Sequence, residues 1–219
     1  SDTSYPGYMD VPRDVMQGYQ LMVEEAATQL QERPTHIFVQ AGVGGLAAAV
    51  CGYFWERDGG DRPRYVVVEP DKADCLAQSA KAGELTAVTG DIDTLMAGLA
   101  CGEVSHLAWE ILEKGTDAFC VIPDSAAVQA MRLLARPLGA DPVIVAGESA
   151  VAGVAAAIAA SQDAADDQRS QRRADSPAGV QPVHVFRRIV LGDVMVESGV
   201  DRTGTQPERT RQRNEQREV

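Results

Sequence analysis

Apolar positions along the chain change period in blocks, and the blocks predict helices and strands in turn. Residues 13–33 carry Val15, Tyr19, Met22, Val23, Ala26 and Leu30 near one face at helical spacing, which predicts an amphipathic helix ended by Pro34. Ile37 to Val39 is a short β-branched and aromatic run, read as a buried strand, and a small-residue helix follows from Gly45 to about Glu56. Arg57-Asp58-Gly59-Gly60-Asp61 is a loop. Arg64 to Glu69 is a second strand, apolar on both faces and so expected to be parallel and covered on both sides. Asp71 to about Ala82 predicts a short helix. The glycine-containing stretch 83–102, with Leu95 to Ala100 inside it, predicts an ordered loop lining a cleft. Ser105 to Lys114 predicts a helix and Ala118 to Ile122 a third strand. Asp124 is expected to cap a helix running to about Ala135. An alanine-rich helix is expected over Glu148 to Ala160. Strands alternating with helices predict an α/β fold: three layers, a mostly parallel sheet and flanking helices.

The pattern divides the chain into segments. Residues 1–160 form the α/β domain, and 161–182, rich in Asp, Gln, Arg, Ser and Pro, read as divergent and disordered. Apolar Val185, Phe186, Ile189 and Val190 mark a short structured remnant over 183–192, and 193–219 reads as a disordered polar tail.

Charge narrows the function classes. Net charge is −12, and residues 1–160 hold 22 acids against 10 bases, whereas 161–219 hold 10 of each. An acidic globular part argues against nucleic acid, whose phosphates need clustered Lys and Arg. No uncharged apolar run is long enough for a membrane span, and no signal peptide is visible, so a cytoplasmic protein is expected. Cys51, Cys75, Cys101 and Cys120 lack metal-ligand spacing and read as reduced thiols, with a Cys75–Cys101 disulfide as a minor alternative.

The candidate chemistry sits at Gly42-Val43-Gly44-Gly45, between the first strand and the helix it feeds. Glycines there let the backbone turn tightly and bring amide groups, at the positive end of a helix, against a phosphate. A tight turn with close helix–strand packing and no ligand is the plainer alternative. Gly42-Val43-Gly44-Gly45-Leu46-Ala47 also fits the G-x-G-x-x-A dinucleotide fingerprint, with Glu69 at the end of the next strand for a ribose. His36, His106 and His184 are scattered and read as structural. Glu69, Asp71 and Asp74 could gather a cation, but they read first as a solvated helix start, so no metal is expected.

Further stretches resemble diaminopropionate ammonia-lyases, pyridoxal-phosphate enzymes of the tryptophan-synthase-β fold group. They are Asp2-Thr3 with Gly7-Tyr8, Val15-Met16-Gln17-Gly18-Tyr19, Val39-Gln40-Ala41-Gly42-Val43-Gly44 and Val68-Glu69-Pro70-Asp71-Lys72-Ala73-Asp74-Cys75. Met96-Ala97-Gly98-Leu99-Ala100-Cys101-Gly102-Glu103, Trp109-Glu110-Ile111-Leu112 and Gly147-Glu148-Ser149 continue the series in order. The resemblance covers about residues 2–160 and displaces the dinucleotide reading.

It implies a partial fold of that group, pyridoxal 5'-phosphate as cofactor, and Gly42, Val43, Gly44 and Gly45 around its phosphate. It implies Asp2 as candidate base and places Glu148 near the cofactor ring, although a ragged terminus and a helix cap are their plainer readings. The implied reaction is α,β-elimination of 2,3-diaminopropionate to pyruvate and ammonia, and the implied assembly is a homodimer. The family's cofactor lysine lies in an N-terminal portion without counterpart here, where Lys72, Lys81 and Lys114 are the only lysines. The chain is therefore expected to be the C-terminal part of such an enzyme, or an inactive fragment of one. Its Thr-Glu-Gly turn is also missing from 161–182, and a shifted reading frame would explain that.

Overall fold

The computed structural model describes residues 2–162 and the backbone of 189–191 and 194–197. Helix α1 (Asp10–Gln29) leads into strand β1 (His36–Gln40), and the glycine turn feeds α2 (Gly45–Asp58). β2 (Arg64–Pro70), α3 (Cys75–Ala82), α4 (His106–Gly115), β3 (Ala118–Ile122) and α5 (Asp124–Ala135) follow. A helix α6 over 152–162 and two short strands, β4 (Ile189–Leu191) and β5 (Val194–Glu197), complete the order. The sheet runs β1-β2-β3-β5-β4, with the first three strands parallel and β5 antiparallel to both β3 and β4.

Period-two alternation divides the core. Tyr65, Val67, Phe119 and Val121 face the layer of α1, α2, α3 and α4, while Val66, Val68, Cys120 and Ile122 face α5 and α6. Both faces of β2 and β3 are thus covered, as continuous apolar strands of a parallel sheet require. Alanines let α6 lie close to the sheet, and at Gly153 a Cβ would stand 2.6 Å from the Phe38 carbonyl oxygen. On the opposite face the buried Tyr65 hydroxyl donates to Ala47 O at 2.6 Å, tying β2 to α2.

Several expected boundaries move for physical reasons. Helix α1 ends at Gln29, before Pro34, and its inward stripe is Pro12, Met16, Tyr19, Val23 and Ala27. Met22, Ala26 and Leu30 stay exposed, because the helical pitch turns that row away from α2. Helix α3 starts at Cys75 after a turn over Asp71 to Asp74. Asp124 does not cap α5: its carboxylate accepts bonds from the Thr94 hydroxyl and, at 2.9 Å, from Leu95 N–H. Residues 148–151 form a turn in front of α6, because the Ser149 hydroxyl accepts Gly98 N–H at 3.0 Å and Ala150 N–H bonds to Gly147 O. Helix α6 runs two residues into the stretch expected to be disordered, and β5 lies within the expected polar tail. The rest of 161–219 lies outside the described residues.

Candidate functional site

The site is built where the sheet's parallel strands end and α2 begins. Gly44 sits at φ +100°, a conformation that disfavours any side chain, and the first helical hydrogen bond runs from Ala48 N–H to Gly44 O at 2.8 Å. The amides of Gly45, Leu46 and Ala47 precede that bond and lack intrahelical acceptors, so α2 presents partial positive charge at the turn.

Crowding explains each glycine. A Cβ at Gly42 would stand 3.0 Å from Cys101 Sγ and 3.2 Å from Gly98 O, and one at Gly44 would press on Ala108 and Leu112 at 3.1 and 3.2 Å. A Cβ at Gly45 would overlap Asp2 Oδ2 and stand 2.8 Å from Asp2 Cβ and Cγ. The turn borders a cavity of about 400 Å3, walled also by Asp2, Thr3, Tyr19, Gln40, Gly98, Leu99 and Cys101.

Asp2 reaches the turn because its segment is fastened to α4. Ser4 N–H donates to Ser105 Oγ at 3.0 Å, and Ser105 Oγ donates to Asp2 O at 2.9 Å. Ser105 N–H in turn donates to Val43 O at 2.9 Å, inside the glycine turn. The opposite wall is the stretch from Leu95 to Cys101, anchored by Asp124 through Thr94 and Leu95 and by Ser149 through Gly98.

Electrostatics sort the groups around the cavity. Burial, then the Asp2 charge, raises the Tyr19 phenol, so it keeps its proton through neutral pH. Burial followed by Asp2 also raises the Cys101 thiol, against a hydrogen bond from Val43 N–H, which leaves the thiol protonated and poorly nucleophilic. Glu69 is fully buried, and desolvation pushes it up to about 8 against amide bonds from Leu76 and Ala77. Both of its oxygens accept those α3 amides at 2.8 Å.

The structure thus brings Asp2 together with Gly42, Val43, Gly44 and Gly45, and leaves Glu148 outside the cavity wall, in the turn before α6. Lys72, Lys81 and Lys114 are exposed and outside that wall. Glu69 turns inward to α3, so it is not placed for a ribose. Among the described residues no group of three or more His, Cys, Asp and Glu could hold a metal, and no helix is long and apolar enough to cross a membrane. None of the four cysteines forms a disulfide; Cys75 donates instead to Gly42 O at 3.7 Å. The sequence reading missed Ser4, Ser105 and the cavity-facing role of Tyr19. Tyr19 was legible only as part of a helix stripe, and nothing local pairs two serines 101 residues apart.

Parallel strands ending at a glycine turn and a helix N-terminus mark an anion-binding α/β fold, and the family comparison makes it specific. Residues 5–171 match the family of pyridoxal-phosphate dependent enzymes, and the chain belongs to that family. Within it, the chain is similar to the diaminopropionate ammonia-lyase of Escherichia coli K12, 44% identical over 156 residues that cover 70% of this chain and 39% of the relative. The Salmonella typhimurium LT2 enzyme of that name is 44% identical over 160 residues, covering 70% and 40%. The chain therefore spans about two fifths of the length of these relatives.

Solved structures agree. Holo diaminopropionate ammonia lyase from Escherichia coli superposes with a TM-score of 0.65 at 42% identity, covering 72% of this chain and 40% of that one. The same enzyme in complex with an aminoacrylate-PLP azomethine reaction intermediate gives 0.65 at 43%, covering 72% and 41%. Maize serine racemase gives 0.57 at 27%, covering 65% and 42%.

Proposed function

We propose that this chain carries the phosphate cradle and a substrate-facing carboxylate base of a pyridoxal-phosphate-dependent α,β-elimination, converting 2,3-diaminopropionate to pyruvate and ammonia. The observation that carries the reading is the glycine turn. At Gly42 and Gly45 a side chain would meet the cavity wall, and the unpaired amides of α2 begin there. A phosphate fits such a place without any cation.

When bound, the cofactor supplies an electron sink for the substrate's α-carbon. The chain's own residues do the rest. The amides of the Gly42-Val43-Gly44-Gly45 turn and of Leu46 would hold the phosphate, and Leu99, with Gly98 fixed by Ser149, forms the far wall. Asp2 accepts a proton at its carboxylate, and Tyr19, held neutral, keeps one at its hydroxyl on the same cavity. Glu148 would approach the ring from the turn before α6, outside the described cavity wall. A homodimer belongs to the same proposal, and sedimentation equilibrium reads it.

A second reading has its own observation: no lysine lines the cavity, so the chain alone binds the cofactor phosphate without turning over. Both are tested with pyridoxamine 5'-phosphate, which needs no lysine. It should bind at least about tenfold more tightly than pyridoxamine, a margin of about 1.4 kcal/mol, and lose that margin in Gly42→Val. Equal affinities would overturn the cradle. Pyruvate released by the chain alone with pyridoxal phosphate would discard the second reading, and retained binding without pyruvate would support it.

A further inference from the structure

A serine preceding a helix ordinarily spends its hydroxyl on that helix's own first amides. Ser105 stands at this place before α4 and makes no such bond. The cap comes from the other end of the chain: Ser4 Oγ accepts Leu107 N–H at 2.8 Å, and Ser4 O accepts His106 N–H at 3.2 Å. Relieved of capping, the Ser105 hydroxyl donates to Asp2 O at 2.9 Å and accepts Ser4 N–H at 3.0 Å.

The hydroxyls also meet each other at 2.8 Å. The Ser105 proton is already directed to Asp2 and Ser4 Oγ already accepts Leu107, so this bond runs from Ser4 to Ser105. Every donor in the pair is used, and both serines are buried, at 1% and 0% exposure. Ser105 N–H meanwhile holds Val43 O. One residue thus ties the backbone of Asp2 and the backbone of the glycine turn, and the Asp2 carboxylate arrives where a Gly45 side chain would be.

We propose that Ser105, backed by Ser4, is a positioning residue that holds the Asp2 carboxylate over the glycine turn and acts on the reaction only through Asp2. The proposal rests on the reading of Asp2 as the base of the proposed elimination, but its test needs no cofactor.

The probe is Cys101, which lines the same cavity, is partly exposed, and feels the Asp2 charge. Its other electrostatic neighbours are Val43 N–H, Glu69 and the buried Cys75 thiol, and Cys51 and Cys120 are buried. The pH dependence of Cys101 alkylation by iodoacetamide, read by peptide mass spectrometry on the full chain, gives the thiol midpoint. Asp2→Asn should lower that midpoint, Ser105→Ala should lower it equally, and the double variant should go no further. Ser4→Ala should lower it less than Ser105→Ala while costing more in Tm, because Ser4 and not Ser105 caps α4.

An unmoved midpoint in Asp2→Asn, or in Ser105→Ala beside a moved one in Asp2→Asn, would overturn the proposal. So would a double variant that goes beyond Asp2→Asn, since that reports an opened cavity. If Ser105→Ala does not fold, Ser4→Ala with an unchanged midpoint overturns it equally. Failure of phosphate-dependent binding in the parent chain would sink the cradle reading and leave these midpoints standing, so the two failures are separable.

Discussion

Replacing Glu69 by Gln should change how the stability of the chain depends on pH. The carboxyl is fully buried and lies against the first amides of α3, and burial lifts it from an ordinary 4.5 to about 8. Between those values the folded chain binds the proton and the unfolded chain releases it, so stability is lost as pH rises through the window. The slope approaches about 1.4 kcal/mol per pH unit, and the group's own contribution falls by about 2–3 kcal/mol from pH 5 to pH 7. Gln resembles the protonated acid and carries no such term. Urea unfolding of both proteins at pH 5, 6 and 7 isolates it, because every other titrating group cancels in the difference. The parent should lose about 2–3 kcal/mol relative to Glu69→Gln over that range. A flat difference, or a parent that gains stability with pH, would show that the two α3 amides hold the carboxylate ionised and that burial does not decide its state.

Three further outcomes follow from the geometry. Gly45→Ala should leave Tm nearly unchanged, since Ala favours the helix, yet displace Asp2; the Cys101 alkylation midpoint should fall, and an unmoved midpoint would count against the placing of Asp2 over the turn. Asp117→Ala strips partners from Arg62, at 2.7 Å, and from Tyr65 N–H, at 2.8 Å, leaving a buried guanidinium; chemical denaturation should show a loss of about 3–5 kcal/mol. Tyr65→Phe removes the bond to Ala47 O and should cost about 1 kcal/mol in the same assay.

The sheet's central strands and the glycine turn were legible because each rests on a local signal. Ala118–Ile122 is apolar on both faces, and Gly42, Gly44 and Gly45 mark a junction that side chains cannot occupy. Helix starts were less legible where tertiary bonds override the local cap. Asp124 holds the cavity loop and leaves α5 uncapped by its side chain, and Ser149 holds Gly98 and delays α6 to residue 152. The cavity's composition was legible only through the glycine turn and the loop opposite. Asp2 reaches it through Ser105, and Tyr19 through the rotation of α1, whose expected stripe held Tyr19 and Val23 but also the exposed Met22, Ala26 and Leu30. Long-range hydrogen bonds between residues 2–4 and 105–107 leave no periodic trace in a sequence.

The most direct test of the cradle is to follow the backbone amide resonances of the isotope-labelled chain while pyridoxamine 5'-phosphate is added. The largest shifts should fall on Gly44, Gly45 and Leu46, with Asp2 and Cys101 responding beside them. Shifts centred on Lys72, Lys81 or Lys114, with the turn unmoved, would contradict it.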